Sequence, residues 1–408
     1  MRFMCRRYIS FGLRFLKQNL PGVEILEYPT WHEYLAKLKQ GWDAVGFSFY
    51  LNETGEIIEM AEEARRRGIK ELWAGNYGAL TEGLERYFDK FFFGYAEHQV
   101  GTILGKKIDT IIHPPLFIPI NLGPINLKYK TLGVLFTQRG CPNGCTFCQT
   151  PVFCPSPHRV SLESIERTLV EYKRWGVNEV VILDENFGLF KEHTAAVTEL
   201  FARQGIFWSA MSRADTIMEH LGDWVKRGLV AVYIGVESLS QEALDAIHKK
   251  EKVETITEMV RKAHEYSIYI NGFYMIGHPI DTVQSIRHDL INLARLKIDY
   301  TQLCVITPLP RTAFWYETVA RYGIFEKDWR KYDVKHLVFN HPHIKLEEMQ
   351  RIMIWGSKLL NPPARYWNNI SRLSRRYLKV RPRHLFTSFA QALPFDYRDR
   401  RSRWFFSK

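Results

Sequence analysis

Between residues 130 and 345, short apolar runs and amphipathic stretches alternate six times, a pattern that few folds accommodate. The apolar runs are "TLGVLFTQ" (131–138), "VNEVVIL" (177–183), "IFWSAMS" (206–212), "VAVYIGV" (230–236), "IYINGFYMI" (268–276) and "YTQLCVIT" (300–307). Strands alternating with helices at this interval make βαβ units on a parallel sheet. The periodicity between them predicts helices near 161–175, 192–204, 216–228, 241–266 and 283–297, with another near 312–322. Ser161, with Glu163 and Ser164, supplies an N-terminal cap for the first. Six such units with right-handed crossovers curl into an open, partial barrel, whose ligands sit at the carboxyl ends of its strands.

Residues 1–110 repeat the alternation on a smaller scale. "VEILEY" (23–28), "DAVGFSFY" (43–50), "KELWAG" (70–75) and "KFFFGYAE" (90–97) read as strands, with helices over "WHEYLAKLKQ" and "EIIEMAEEARRRG". The expected fold class is therefore α/β. A short Rossmann-like domain spans 1–110, a Pro-rich extended linker 111–130, a (βα)6 barrel 131–345 and a basic, mainly helical extension 346–408. No run approaches the roughly 20 apolar residues of a membrane span. The basic N-terminus "MRFMCRRYISFGLRFLKQ" is interrupted by Arg14 and Lys17 and followed by no small-residue cleavage site, so it reads as mature protein.

The first barrel strand runs into "RGCPNGCTFCQTP" (139–151), which sets Cys141, Cys145 and Cys148 in a C-x3-C-x2-C array at the functional end of the sheet. Six cysteines in 408 residues make no disulfide scaffold, and a reducing cytoplasm suits the array. Cys5, Cys154 and Cys304 read as inert thiols, with Cys154 a second candidate because it lies close to the array. A structural zinc site fills four positions from protein, and here the nearest histidine, His158, lies ten residues on, beyond Pro151, Pro155 and Pro157. A cubane iron–sulfur cluster ordinarily takes four thiolates. Three leave one iron open to a substrate or cofactor. Gly140 and Gly144 let the backbone wrap a bulky cluster, Pro142 stiffens the entry, and Phe147 offers it an apolar face.

The array and its position resemble the radical S-adenosylmethionine (SAM) superfamily. The resemblance implies that Cys141, Cys145 and Cys148 hold a [4Fe-4S] cluster whose open iron chelates the amine and carboxylate of SAM. One electron then cleaves the sulfonium to a 5′-deoxyadenosyl radical, which abstracts hydrogen from a substrate. Further stretches agree in order. "LDENF" (183–187) offers Asp184, Glu185 and Asn186 near the SAM amine, Glu185 first. "SRAD" carries Ser212 and Arg213, whose bidentate fork suits the methionine carboxylate. "GVESLSQEALDAIHKK" (235–250) offers Glu237 and Ser238 to the ribose. "GFYMIGHPIDT" (272–282) and "TPLPRT" (307–312) bring Ile276, Gly277, Pro279, Pro308 and Leu309 to the adenine. A reductant such as a flavodoxin or ferredoxin is the implied electron donor.

Residues 1–110 resemble the cobalamin (vitamin B12)-binding domain that precedes such barrels in one branch of the superfamily. "DAVGFSFY", "LWAGNYG" and "FFFGYAEHQVGTIL" carry the likeness. The D-x-H-x-x-G element that supplies an axial histidine to cobalt is not present, and neither His32 nor His98 has that context. Cobalamin is therefore an open cofactor. Methylthiotransferases and members with auxiliary clusters carry cysteines that this chain lacks. "GTILGKK" (101–107) is one residue short of a phosphate loop, and "HPHI" (341–344) has no metal partners.

Charge is unevenly spread. Residues 361–408 carry twelve Lys and Arg against Asp396 and Asp399, ten of the chain's net +12. Interleaved aromatics such as Tyr366, Trp367, Phe386, Trp404 and Phe405 suit an anionic membrane surface, or less well nucleic acid, or an extension packed on the body. The expected enzyme is cytoplasmic and peripheral to the inner face of the membrane. Its reaction is methyl transfer, C–C or C–S bond formation or rearrangement on a small molecule or lipid. The competing readings are an RNA-modifying radical SAM enzyme, a non-catalytic iron–sulfur scaffold for membrane or RNA, and an electron carrier.

Overall fold

The computed structural model describes residues 9–122 and 127–380. The N-terminal part opens with α1 (Phe11–Asn19) and α2 (Trp31–Leu38), the latter started by a capping box between Thr30 and Glu33. Then follow β1 (Ala44–Ser48), α3 (Thr54–Arg66), β2 (Glu71–Gly75), β3 (Lys90–Phe92) and α4 (Glu97–Ile103). The three strands pair in parallel in the order β1-β2-β3. Phe47, Leu72 and Ala74 of the sheet bury against Ala61 and Ala64 of α3 and Tyr34 and Leu38 of α2. "VEILEY" is no strand. Its Glu27 instead accepts the Ser10 N–H at 2.8 Å and pairs with Arg14 at 2.7 Å, so the segment holds α1 in place.

The second part is built on β4 (Phe117–Leu122), β5 (Leu127–Leu135), the short β6 (Gln138–Arg139), α5 (Thr150–Phe153) and β7 (His158–Arg159). Then α6 (Leu162–Arg174), β8 (Glu179–Ile182), α7 (Lys191–Gln204), β9 (Phe207–Met211), α8 (Ala214–Lys226) and β10 (Leu229–Glu237) alternate. The series continues with α9 (Gln241–Ala246), α10 (Val253–Glu265), β11 (Tyr269–Ile276), α11 (Val283–Arg295), β12 (Tyr300–Val305) and α12 (Ala313–Arg321). The large sheet runs β12-β11-β10-β9-β8-β5-β4, a curled half-barrel of six parallel strands with β4 antiparallel at its edge. Consecutive strand residues are buried, all four of Glu179–Ile182 and the first four of Leu229–Glu237, which suits strands covered on both faces. Thr282 and Thr312 cap α11 and α12, as Ser161 caps α6.

Two further expectations need correction. Residues 111–130 are not merely a linker: Phe117–Leu122 joins the sheet, β5 already begins at Leu127, and Pro119 is tolerated because β4 lies at the edge. The helix expected over 241–266 breaks between Ala246 and Val253, where His248 and Lys250 take positive φ. That break delivers Lys249 and Glu251 to the interior, as described below.

The C-terminal extension begins with α13 (Leu346–Leu360) and α14 (Pro363–Val380). The start of α14 is docked by its polar side chains. Arg365 reaches the carbonyls of Ile298 and Ala294, Asn369 reaches Asp299 O at 2.9 Å, and Arg372 pairs with the buried Asp299 carboxylate. Trp367, by contrast, is exposed. The strongly cationic stretch 381–408 lies outside the described residues, as does Cys5. Removing one member of a buried ion pair strands the other, so Arg372→Ala should cost about 3 kcal/mol in chemical denaturation. Among the described residues no helix is long and apolar enough to cross a membrane.

Candidate active site

The ladder of β6 with β7 ties the neck of the loop that carries the cysteine array. The loop then crosses the mouth of the half-barrel and is fastened on its far side. Thr146 donates its N–H to Ile247 O at 3.0 Å and accepts the Phe314 N–H at 2.9 Å. The Gln149 amide donates to Pro310 O at 2.9 Å. Gly140 turns the chain at φ +81°, and a Cβ there would lie 2.8 Å from the Cys154 sulfur. Cys141 is buried, and Cys145 and Cys148 are half-buried. The Thr150 N–H points at Cys148 Sγ, 3.4 Å away.

Burial raises all three thiols, Cys145 to about 11, while Lys249 opposes the rise at Cys145 and Cys148 and Arg213 at Cys141 and Cys145. A bound metal's own charge would make thiolates of them, with release of protons. Among the described residues no three His, Cys, Asp or Glu side chains gather as a single ion would require. A cubane is a larger body that takes its thiolates further apart, so the donor set fits one. Cys154 turns elsewhere. Its thiol meets Ser156 O at 3.6 Å, and it packs with Leu80 and Phe153. Cys304 is buried in the barrel core.

At the end of β10 the register shifts between Gly235 and Glu237, and Glu237 takes φ +60°. The Glu237 carboxylate folds back over Gly235, where a Cβ would lie 2.1 Å from Oε1 and 2.7 Å from Lys249 Nζ. Only glycine leaves room for this pair. Lys249 Nζ sits 3.6 Å from Glu237 and 3.3 Å from Glu251, whose side chain is fully buried. Desolvation raises the Glu237 carboxyl, against the pull of Lys249. The sequence reading missed Lys249 and Glu251. Their signal, the charged run "HKKEK", resembles any solvated turn.

Arg213, expected to grip a carboxylate, already spends most of its fork. It chelates Asp215 through Nε and one terminal nitrogen, at 2.9–3.2 Å, and donates to the carbonyls of Lys249 (2.9 Å) and Lys250 (2.8 Å). In this structure it braces the α9–α10 break. Ser238 accepts the Ser240 N–H at 3.0 Å, and Ser212 donates to Phe187 O at 2.6 Å. Ile276 and Pro308 are buried at the ends of β11 and β12, and Gly277 donates to Asp281 at 2.8 Å. Phe147 packs half-buried against the barrel core, beneath the cysteine loop.

After β8 the three polar candidates diverge. The backbone carbonyl of Asn186 accepts from the Gln138 side-chain amide, and its side-chain oxygen is buried without a hydrogen-bond partner. Glu185 accepts the Gly140 N–H at 3.0 Å and the Tyr95 hydroxyl of the N-terminal part. Asp184 is fully buried and accepts the Thr137 N–H at 2.7 Å and the Thr137 hydroxyl, yet desolvation wins and pushes its carboxyl up to about 8. Its unfolded value is near 4. The folded state therefore holds the extra proton between these values, and stability drains as pH rises through about 8. Melting temperature should fall between pH 5 and 8, and Asp184→Asn should flatten that fall.

The model of the Radical SAM superfamily matches residues 135–290. An uncharacterized methyltransferase of Pyrococcus horikoshii is 28% identical over 289 residues, 67% of this chain and 62% of that protein. The bacteriochlorophyllide d C-8(2)-methyltransferase of Chlorobaculum tepidum is 26% identical over 73% of each chain. The chain thus spans about three fifths of the Pyrococcus relative's length. The radical SAM methyltransferase TsrM of Kitasatospora setae, solved with cobalamin and a [4Fe-4S] cluster, superposes with a TM-score of 0.64 at 15% identity, over 87% of this chain and 86% of that one. The cobalamin-dependent radical enzyme OxsB superposes with a TM-score of 0.55 at 13% identity, over 93% of this chain and 68% of that one. With its cysteine loop at the mouth of a parallel half-barrel, this chain is similar to the radical SAM superfamily over residues 135–290 and shares the two-part fold of TsrM and OxsB.

Proposed function

We propose that the protein cleaves SAM reductively and serves a methyl transfer to a small molecule. The observation that carries the reading is the array of three thiols without a fourth, fastened across the open mouth of the half-barrel beside buried charged groups. Cys141, Cys145 and Cys148 would hold the [4Fe-4S] cluster, which when bound supplies one electron to the sulfonium of SAM. Around it the chain's own residues bind and orient. Glu185 is the acceptor for the SAM amine, and Glu237 and Ser238 serve the ribose. Ile276, Gly277 and Pro308 flank the adenine, and Phe147 keeps water from the loop's underside. Arg213 has one N–H left for a carboxylate, so Lys249 shares that charge.

The methyltransferase reading rests on the relatives and on the N-terminal part. At the ends of its strands Tyr50 stacks on Tyr77 with rings 6.2 Å apart, and Tyr77 in turn lies against Phe153 beside the cysteine loop. Tyr50 keeps an exposed face there. His32 and His98 are exposed on helices α2 and α4. These residues fit a flat corrin held without a histidine ligand, and cobalamin when bound would supply a transferable methyl group. A lipid substrate and an anionic membrane surface belong to the same proposal through residues 381–408.

Anaerobically reconstituted protein should carry iron–sulfur absorbance, gain corrinoid bands with cobalamin, and release 5′-deoxyadenosine or S-adenosylhomocysteine from SAM under a low-potential reductant. Material that holds zinc, or a cluster that leaves SAM intact, would refute the reading. Binding to anionic vesicles that survives truncation after Val380 would remove the membrane element.

A further inference from the structure

The N-terminal part grips the two residues that precede the first cysteine of the array. Arg139 is almost wholly buried, and its guanidinium is sandwiched between the rings of Phe15 (4.1 Å) and Tyr95 (4.2 Å). It pairs at 2.9 Å with the buried Glu97. The next residue, Gly140, donates its N–H to Glu185, which also accepts the Tyr95 hydroxyl. Both grips come from one short segment, Tyr95–Glu97, at the end of β3. Tyr95 takes part in each, with its ring on Arg139 and its hydroxyl on Glu185. Burial and the neighbouring Glu185 charge raise the Tyr95 phenol, so it stays an O–H donor throughout the working pH range.

We infer that Tyr95 is a positioning residue for the cysteine loop, acting through Glu185, and that the N-terminal part thereby sets the electrostatics at Cys141. The inference rests on the reading that the array holds a cluster. Glu185 accepts the N–H of Gly140, the residue directly before Cys141, so its charge lies close to the first thiol of the loop. A donated O–H spreads and neutralises part of the carboxylate's charge. Without it, Glu185 presents more negative charge to the loop, and a cluster there becomes harder to reduce.

The test compares Tyr95→Phe, Glu185→Gln and the double variant, each reconstituted anaerobically. The readouts are iron content and the midpoint potential from electron paramagnetic resonance titration, alongside SAM cleavage. Tyr95→Phe should retain wild-type iron, shift the potential negative and slow SAM cleavage about tenfold. Glu185→Gln should shift the potential positive, and adding Tyr95→Phe should then change nothing further. A wild-type potential in Tyr95→Phe overturns the inference, as does a shift that persists in the Glu185→Gln background. Loss of iron from Tyr95→Phe overturns it too, because the hydroxyl would then be needed merely to hold the loop. Wild-type protein that takes up no cluster refutes the underlying reading itself.

Discussion

Cys145→Ala is expected to abolish release of 5′-deoxyadenosine from SAM, and the reconstituted variant to lose most of its iron. Cys145 lies mid-loop, one residue before Thr146, whose backbone is bonded to both Ile247 and Phe314. The loop's course therefore survives the substitution, and the defect is one of ligation. Burial holds the Cys145 thiol at about 11, so this sulfur becomes a thiolate only when a metal claims it. Among the described residues no other thiol can stand in. Cys154 packs toward Leu80 and Phe153, and Cys304 is sealed in the core with its thiol raised to about 12. Cys141→Ala and Cys148→Ala should behave alike, whereas Cys154→Ala should retain iron and cleavage. Iron analysis with product chromatography checks all four, and a Cys145→Ala protein that still cleaves SAM would sink the ligand assignment.

Lys249→Met should lower stability by about 3–5 kcal/mol at neutral pH, because it leaves the buried Glu237 and Glu251 carboxylates without their cation. Arg213, 3.9 Å from Glu251, compensates only in part. The variant's escape is protonation. Desolvation already raises the Glu237 carboxyl, and removing Lys249 raises it further. A carboxyl raised above its unfolded value stabilises at low pH and loses that contribution as pH rises through the folded value. Urea denaturation should therefore find the Lys249→Met deficit smaller at pH 5 than at pH 8. Combining it with Glu237→Gln should recover part of the loss, since one buried charge is then gone. A deficit within about 0.5 kcal/mol at both pH values would mean that water reaches the pair.

The half-barrel was legible because its strands are short, apolar and evenly spaced. All six proposed strands formed, each within a few residues of its expected place. "VEILEY" misled because its apolar alternation serves packing beneath α1, while its acid Glu27 anchors that helix. The edge strand β4 was hidden by its prolines, which argue against a strand unless the position at the sheet edge is known. Arg213 was picked out for its chemistry, yet its neighbours at the helix break absorb most of its donors.

By itself, the order of residues determined the α/β alternation and the three-thiol loop at the end of a strand, because these depend on local periodicity and spacing, and the motifs it carries there are what the radical SAM likeness rests on. The partnerships across the mouth were decided only by the tertiary structure: Lys249 between two buried acids, Glu185 between Gly140 and Tyr95, Arg139 against Glu97. Those contacts join residues far apart along the chain, and whether a charged group is buried or solvated depends on what the fold brings over it.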